Sequence, residues 1–198
     1  MAERVVVVRH GATEWSIDRR HTGRTDVPLN DAGRACAAEL APVLAALRGV
    51  DGALVLTSPL RRAIETCRLA GFGDSAEIDR NLVEWDYGRA EGLRTDEIRK
   101  RIPGWSVWSH PIEDGETLQQ VGARVDALIA RLDEHSGLVL AFAHAHMLRI
   151  LAARWCGFDA LEGRRFTLEP ASVSMLGYER EERVIEHWNV APHWSASL

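Results

Sequence analysis

The stretch Val5-Val6-Val7-Val8-Arg9-His10-Gly11 decides how the chain is read. Four consecutive β-branched residues ending at a polar, glycine-closed turn have the pattern of a short strand buried on both faces, as in a parallel sheet. Two further runs have the same form. Ala53–Thr57 ends at Ser58-Pro59, and Leu138–Ala143 ends at His144-Ala145-His146. Helical patterns alternate with them: Asn30 to about Leu47, the segment opened by Pro59 and running to about Ala70, and Met147–Trp155. Pro42 falls inside the first and predicts a kink or a split there. Val173–Tyr178 and Val184–Trp188, joined by the charged Glu179–Arg183, read as a terminal hairpin. Strands separated by helices imply right-handed crossovers. The expected fold is therefore an α/β three-layer sandwich, with a central, mostly parallel sheet and helices on both faces.

The 198 residues are 46% hydrophobic and 27% charged, which fits one globular domain covering 1–198. The segment from Glu84 to Gly115 departs from the pattern, with Gly88, Gly92, Gly104, Pro103 and Pro111 set among Trp85, Trp105 and Trp108. It reads as too polar and broken for a core element. The expectation is a lid-like insertion at about 84–115 holding one short helix, about Leu93–Arg101.

Composition narrows the function. Acidic residues outnumber basic ones, 29 to 24, for a formal charge of −5, so no nucleic-acid partner is expected. Arginine is still locally dense, at Arg19, Arg20 and Arg24 and at Arg61 and Arg62, which suits a specific anion site. Three cysteines support neither a disulfide framework nor a CxxC metal pattern. No apolar run approaches the ~18 residues that span a bilayer, so no membrane partner is expected. The four-residue apolar run after Met1–Arg4 is too short for a signal sequence, and a cytoplasmic protein is expected.

Ligands of parallel α/β sheets bind outside the carboxyl ends of the strands. There the chain offers Arg9-His10-Gly11, Ser58-Pro59-Leu60-Arg61-Arg62 and His144-Ala145-His146. Arginine forks fit phosphate oxygens. A histidine among them stays neutral at physiological pH and is then a nucleophile. His10 is expected to attack phosphorus, and a carboxyl group must shuttle the proton. Glu84 beside Trp85 is the favoured carboxyl, ahead of Glu14, Asp86 and Glu91. The arginines favour its ionised form, whereas Trp85 and a bound phosphate are expected to hold its proton, for an acidic-to-neutral optimum. His144-x-His146 could be a metal pair, but cationic neighbours and the lack of a third ligand count against it.

The stretch from Val8 to Trp15 resembles the Arg-His-Gly signature of the histidine phosphatase superfamily, the phosphoglycerate-mutase-like fold. His21–Gly33, Thr57–Thr66 and the block Glu84–Gly88 with Glu91-Gly92-Leu93 are similar to that family too, in the same order. The resemblance implies that His10 is phosphorylated, that Arg9, Arg61 and His144 complete the phosphate pocket, and that Glu84 gives the proton. Arg62 is the solvated or structural one of the pair on this reading. Thr22 and Gly23 match positions whose backbone lines the site, Ser16 stands where the family often has Asn, and His21 is placed near substrate. Ala12 stands where Glu is frequent. The resemblance implies no metal and no cofactor. Trp85-Asp86 replaces the Arg-His pair of mutases, which favours hydrolysis of a small phosphorylated metabolite, a sugar phosphate or bisphosphate, over a mutase or a non-catalytic phospho-ligand sensor. Arg24, Arg89, Arg94 and Lys100 are the expected contacts for a second anionic group. Assembly varies among members, a homodimer included.

Overall fold

In the computed structural model, which describes residues 2–192, six strands form one sheet. The chain runs β1 (Ala2–Arg9), a single turn α1 (Glu14–Ile17), α2 (Asp31–Ala45), β2 (Leu54–Thr57), α3 (Arg61–Leu69) and β3 (Ala76–Ile78). It continues through α4 (Thr95–Arg99), α5 (Leu118–Asp133), β4 (Gly137–Ala143), α6 (Ala145–Trp155) and the hairpin β5 (Val173–Glu179) and β6 (Glu182–Val190). The spatial order is β3-β2-β4-β1-β5-β6. The four strands from β3 to β1 are parallel, and the hairpin adds two antiparallel strands beside β1.

The valine run shows why this sheet is covered twice. Val5 and Val7 enter the apolar cluster beneath α5 and α6, while Val6 and Val8 enter the one beneath α2 and α3. All four are at most 1% exposed. Burying each contributes roughly 1.5–3 kcal/mol, so one charged replacement here would disrupt the sheet.

Three expectations change. Pro42 neither splits nor ends α2, which runs unbroken from Asp31 to Ala45. The proline is exposed and near the helix end, so the bond it forfeits lies on the solvent side. The sequence reading assigns no element to 118–133, where α5 stands. Its start has a readable signal: Thr117 and Gln120 form a capping box ahead of buried Val121, Val125, Leu128 and Leu132. The third change concerns 84–115, which does supply core. Trp85, Tyr87 and Trp105 are 1%, 1% and 3% exposed and pack with the α5–α6 cluster. Irregular turns hide these rings as well as a helix would. Gly88, at φ +43°, lets the segment double back, since a Cβ there would sit 2.1 Å from the Glu113 carbonyl oxygen. The helix within the segment is only Thr95–Arg99. Among the described residues, no helix is long and apolar enough to cross a membrane.

Candidate active site

Strand register brings the site together. Arg9 pairs with Ala143 and Thr57 with Phe142, so the residues that follow leave the sheet side by side. The His10 amide donates to the Ala143 carbonyl at 2.9 Å, and the Ser58 amide to that of Phe142 at 2.9 Å. The His10 and His144 rings lie 5.2 Å apart. Gly11 is needed because a Cβ on it would meet the Gly33 carbonyl oxygen at 2.4 Å. This contact seats the turn on the start of α2.

His10 is buried, and its Nδ1 lies 2.7 Å from the Gly11 carbonyl oxygen. A carbonyl only accepts, so Nδ1 carries the proton and Nε2 keeps the lone pair. Burial first, then the Arg62 and Arg9 guanidinium charges, hold the His10 pKa well below the ordinary imidazole range. Arg9 itself is lowered by burial to about 10, so it remains a cation at neutral pH. It donates to the Leu168 carbonyl, and among the described residues its buried Nε has no hydrogen-bond partner.

The helix α3 turns Arg61 outward and Arg62 inward, so the expected pocket residue Arg61 stands in solvent. Arg61 is exposed, and its backbone amide donates to Asp26 Oδ1 at 2.8 Å. Arg62 is fully buried. Its Nε donates to His144 Nδ1 at 3.1 Å, Nη1 to the Thr25 carbonyl at 3.0 Å, and Nη2 to the carbonyls of Thr22 and Gly23 at 3.1 and 3.0 Å. His144, wholly buried, must therefore carry its proton on Nε2, which donates to Ser58 Oγ at 2.7 Å. Arg62→Ala orphans several buried acceptors at ~1–3 kcal/mol each, so a loss above ~3 kcal/mol is expected, against under ~0.5 kcal/mol for Arg61→Ala. Denaturant midpoints of the two variants check this, and a larger loss for Arg61→Ala would reverse the assignment.

Glu84 is 4% exposed and capped by backbone donors. Its Oε1 accepts from the amides of Trp85 and Met147, both at 2.9 Å, and its Oε2 from that of His146 at 3.1 Å. Such donors at the start of α6 complement a carboxylate. Trp85 thus meets Glu84 through its peptide N–H, while its indole Nε1 donates to the Glu116 carbonyl at 2.8 Å. The helix absent from the sequence reading holds this segment. Arg124 of α5 donates to the carbonyls of Asn81 and Val83 at 2.7 and 2.8 Å and pairs with Glu116.

The remaining expected residues divide. Ser16 spends its hydroxyl on Thr13, donating to that residue's carbonyl at 2.9 Å and capping α1. The Gly23 amide donates to both Glu91 carboxylate oxygens at 2.9 Å. Gly23 also has no room for a side chain, since its Cβ would meet the Trp85 carbonyl oxygen at 2.4 Å. Thr22 lies at the edge, its hydroxyl donating to the Arg20 carbonyl at 3.0 Å. His21 is buried against Tyr87 and Trp105, and burial pushes its pKa to about 4. Sequence reasoning missed Tyr87, whose hydroxyl is 2.6 Å from His146 Nδ1, and Arg149, which stacks 4.8 Å above Trp108.

Arg9, His10, Ser16, His21, Thr22 and Glu84 share one cavity of about 700 Å³, together with Tyr87, Trp108, His146 and Arg149. Arg61, Gly23 and His144 do not line it, nor does Arg62, which reaches the site through its hydrogen bond to His144 and its charge on His10. Of the second-anion candidates, Arg24 pairs with Asp86, Arg89 with Glu113 and Asp114, and Arg94 with Asp96, while Lys100 lines a separate hollow. Among the described residues, no cluster of three or more His, Cys, Asp or Glu is arranged to hold a metal ion. The cavity thus sets a neutral imidazole lone pair, fixed cations and a carboxylate around one space, an arrangement able to bind a phosphoryl group and transfer it.

Known proteins give the arrangement a context. The chain is 40% identical over 192 residues to an acid phosphatase of Mycobacterium tuberculosis, covering 96% of this chain and 94% of that one. It is 33% identical over 187 residues to a sedoheptulose 1,7-bisphosphatase of Saccharomyces cerevisiae, covering 79% and 69%. A solved structure of the Mycobacterium tuberculosis open reading frame Rv3214 superposes with a TM-score of 0.92 at 38% identity, over 96% of this chain and 99% of that one. Relatives named as phosphoglycerate mutases match as well. The model of the histidine phosphatase superfamily, branch 1, matches residues 5–191, and the chain belongs to that family.

Proposed function

We propose that this protein hydrolyses phosphomonoesters of small metabolites, a sugar phosphate or bisphosphate among them, through a phosphohistidine on His10. One observation carries the reading. The His10 ring is pinned by Nδ1 on the Gly11 carbonyl, leaving the Nε2 lone pair, under the positive charge of Arg62 and Arg9, in a cavity that His10 shares with Arg9 and Glu84. Nε2 attacks phosphorus as the ester P–O bond breaks, and Glu84 gives its proton to the departing oxygen. A phosphomonoester monoanion can bring that proton in, because its second ionisation lies near pH ~6. Water then attacks phosphorus, forming the new P–O bond as the P–N bond breaks, losing its proton to Glu84 and returning the electron pair to His10. Arg9, Arg62 and the amides around the site offset charge on the transferring group. His144 positions Arg62 by accepting from its Nε, and residues 84–115 wall the cavity within a single domain. Three free thiols fit a reducing, cytoplasmic setting.

Relatives named as mutases make phosphoryl return to a second alcohol the reading to test against. Asp86 favours hydrolysis: with Glu116 it pairs with Arg24, at 3.2 and 3.4 Å, so that cation is not free to hold a second acidic group. The expected result is inorganic phosphate in a 1:1 ratio to the alcohol produced, from aryl and sugar phosphates alike. Isomerised phosphoester with no free phosphate would replace hydrolase by mutase.

A further inference from the structure

The cavity carries more positive charge than one phosphoryl group needs. Five arginines line it, against two carboxylates, Glu84 and Glu169, in a chain whose net charge is −5. Arg9 and Arg149 belong to the phosphoryl end, since Arg9 adjoins His10 in the chain and Arg149 stands on α6, whose first amides hold Glu84. The other three sit on a separate wall, formed where the loop after α1 meets α4. That wall is stitched by a bridge between Arg20 and Arg94, by the His21 amide donating to the Leu93 carbonyl at 3.0 Å, and by the Gly92 amide donating to that of His21 at 2.8 Å.

Within the wall the three arginines differ. Arg20 is spent, its Nε on Asp18 at 3.2 Å and its Nη1 on the Gly92 carbonyl at 3.2 Å. Arg99 is anchored by Nε to the Trp105 carbonyl at 2.8 Å, which orients its guanidinium and leaves both terminal nitrogens for a ligand. Arg19 sits at φ +57°, a conformation that non-glycine residues rarely adopt and that tends to mark sites built for a ligand. Neither Arg19 nor Arg99 pairs with a carboxylate among the described residues. The hydroxyl-bearing Thr95 and Ser106 line the cavity beside them.

We infer that Arg19 and Arg99 form a second anion subsite, so that the preferred substrate carries, besides the reacting phosphate, another phosphate or a carboxylate. Rigid guanidinium forks suit either oxyanion bidentately. This rests on the phosphatase reading above and narrows its substrate class.

The test compares wild type with the Arg19→Ala/Arg99→Ala variant on four substrates: a sugar bisphosphate, a phosphoglycerate, a sugar monophosphate and an aryl phosphate. For the first two, KM is expected to rise roughly 10–100-fold with kcat within about twofold, as lost charge-assisted contacts imply. KM for the last two is expected to stay within about twofold. A rise for the bisphosphate alone assigns the subsite to phosphate, and a rise for the phosphoglycerate alone assigns it to carboxylate. An equal rise for all four, or none for any, overturns the subsite and leaves hydrolysis standing. Calorimetric titration of the bisphosphate into His10→Ala, with and without the arginine changes, reads the subsite without turnover. If the wild type releases phosphate from none of the four, it is the phosphatase reading that fails, and the titration still decides the subsite.

Discussion

Alanine at position 10 is expected to lower kcat by at least ~10³-fold on every phosphomonoester, with the fold intact, because the step passes through a bond to this ring. No neighbour can replace it. His144 is 5.2 Å away but holds no free lone pair, its Nδ1 accepting from Arg62 and its Nε2 donating to Ser58. Glu84→Gln is expected to cost ~10²–10⁴-fold with alkyl leaving groups and far less with a nitrophenyl group, which departs without a proton. The glutamine amide cannot accept all three backbone N–H bonds with one oxygen as the carboxylate does with two. A binding loss is therefore expected alongside, and the leaving-group dependence of kcat separates the two effects. Protein denatured in base after exposure to substrate carrying a radioactive phosphoryl group tests the intermediate chemically. Base-stable, acid-labile label should appear on wild type under rapid quench and vanish in His10→Ala. Label that persists in the variant would move the nucleophile elsewhere.

How far the sequence could be read depended on what each residue faces. The three strand runs are legible because both faces of the parallel strands are covered, leaving unbroken apolar stretches with their polar residues collected at the ends. Register then brings His10, Ser58 and His144 together with no further information. The choice between Arg61 and Arg62 depends on the rotation of α3 against the sheet, which two adjacent arginines do not reveal. The buried face comprises Arg62, Ala63, Thr66 and Cys67, while the bulky Ile64 is 37% exposed. Small side chains mark this face and the large aliphatic one misleads, because the helix packs close enough for Thr66 Oγ1 to reach the Gly11 amide at 3.0 Å. The aromatic segment 84–115 was opaque for another reason. Its burial comes from long-range closure onto α5 and α6, and the capping box that starts α5 is the one local signal that a partner lay there. Arg19 and Arg99 fall under the same heading, since only the closure of α4 onto the α1 loop puts them on one wall.

Acid is expected to unfold this protein well before it silences the nucleophile. His10, His144 and His146 are held well below the ordinary imidazole range, chiefly by burial and next by guanidinium neighbours, Arg62 for the first two and Arg149 for the third. Burial takes His21 to about 4. In the unfolded chain all four titrate near ~6.5. Below that pH the unfolded state binds protons that the folded state refuses, so the stability present above ~6.5 is lost as pH falls toward the folded values. Each histidine can cost up to ~1.4 kcal/mol per pH unit. All four act in the same direction, against a total of only ~5–15 kcal/mol for a typical domain. Urea midpoints measured from pH 7.5 to 5 should fall steeply, and His146→Asn should flatten the slope by about a quarter. Saturating phosphate, which binds only the folded cavity, should shift the acid transition downward. The acid limb of kcat is then set by unfolding rather than by His10 protonation, so the two curves should coincide without phosphate and move together when it is added. A stability flat between pH 7 and 5.5, or an acid limb that stays put while the unfolding transition shifts, would mean that these imidazoles are charged in the folded protein. A charged His10 has no lone pair with which to attack.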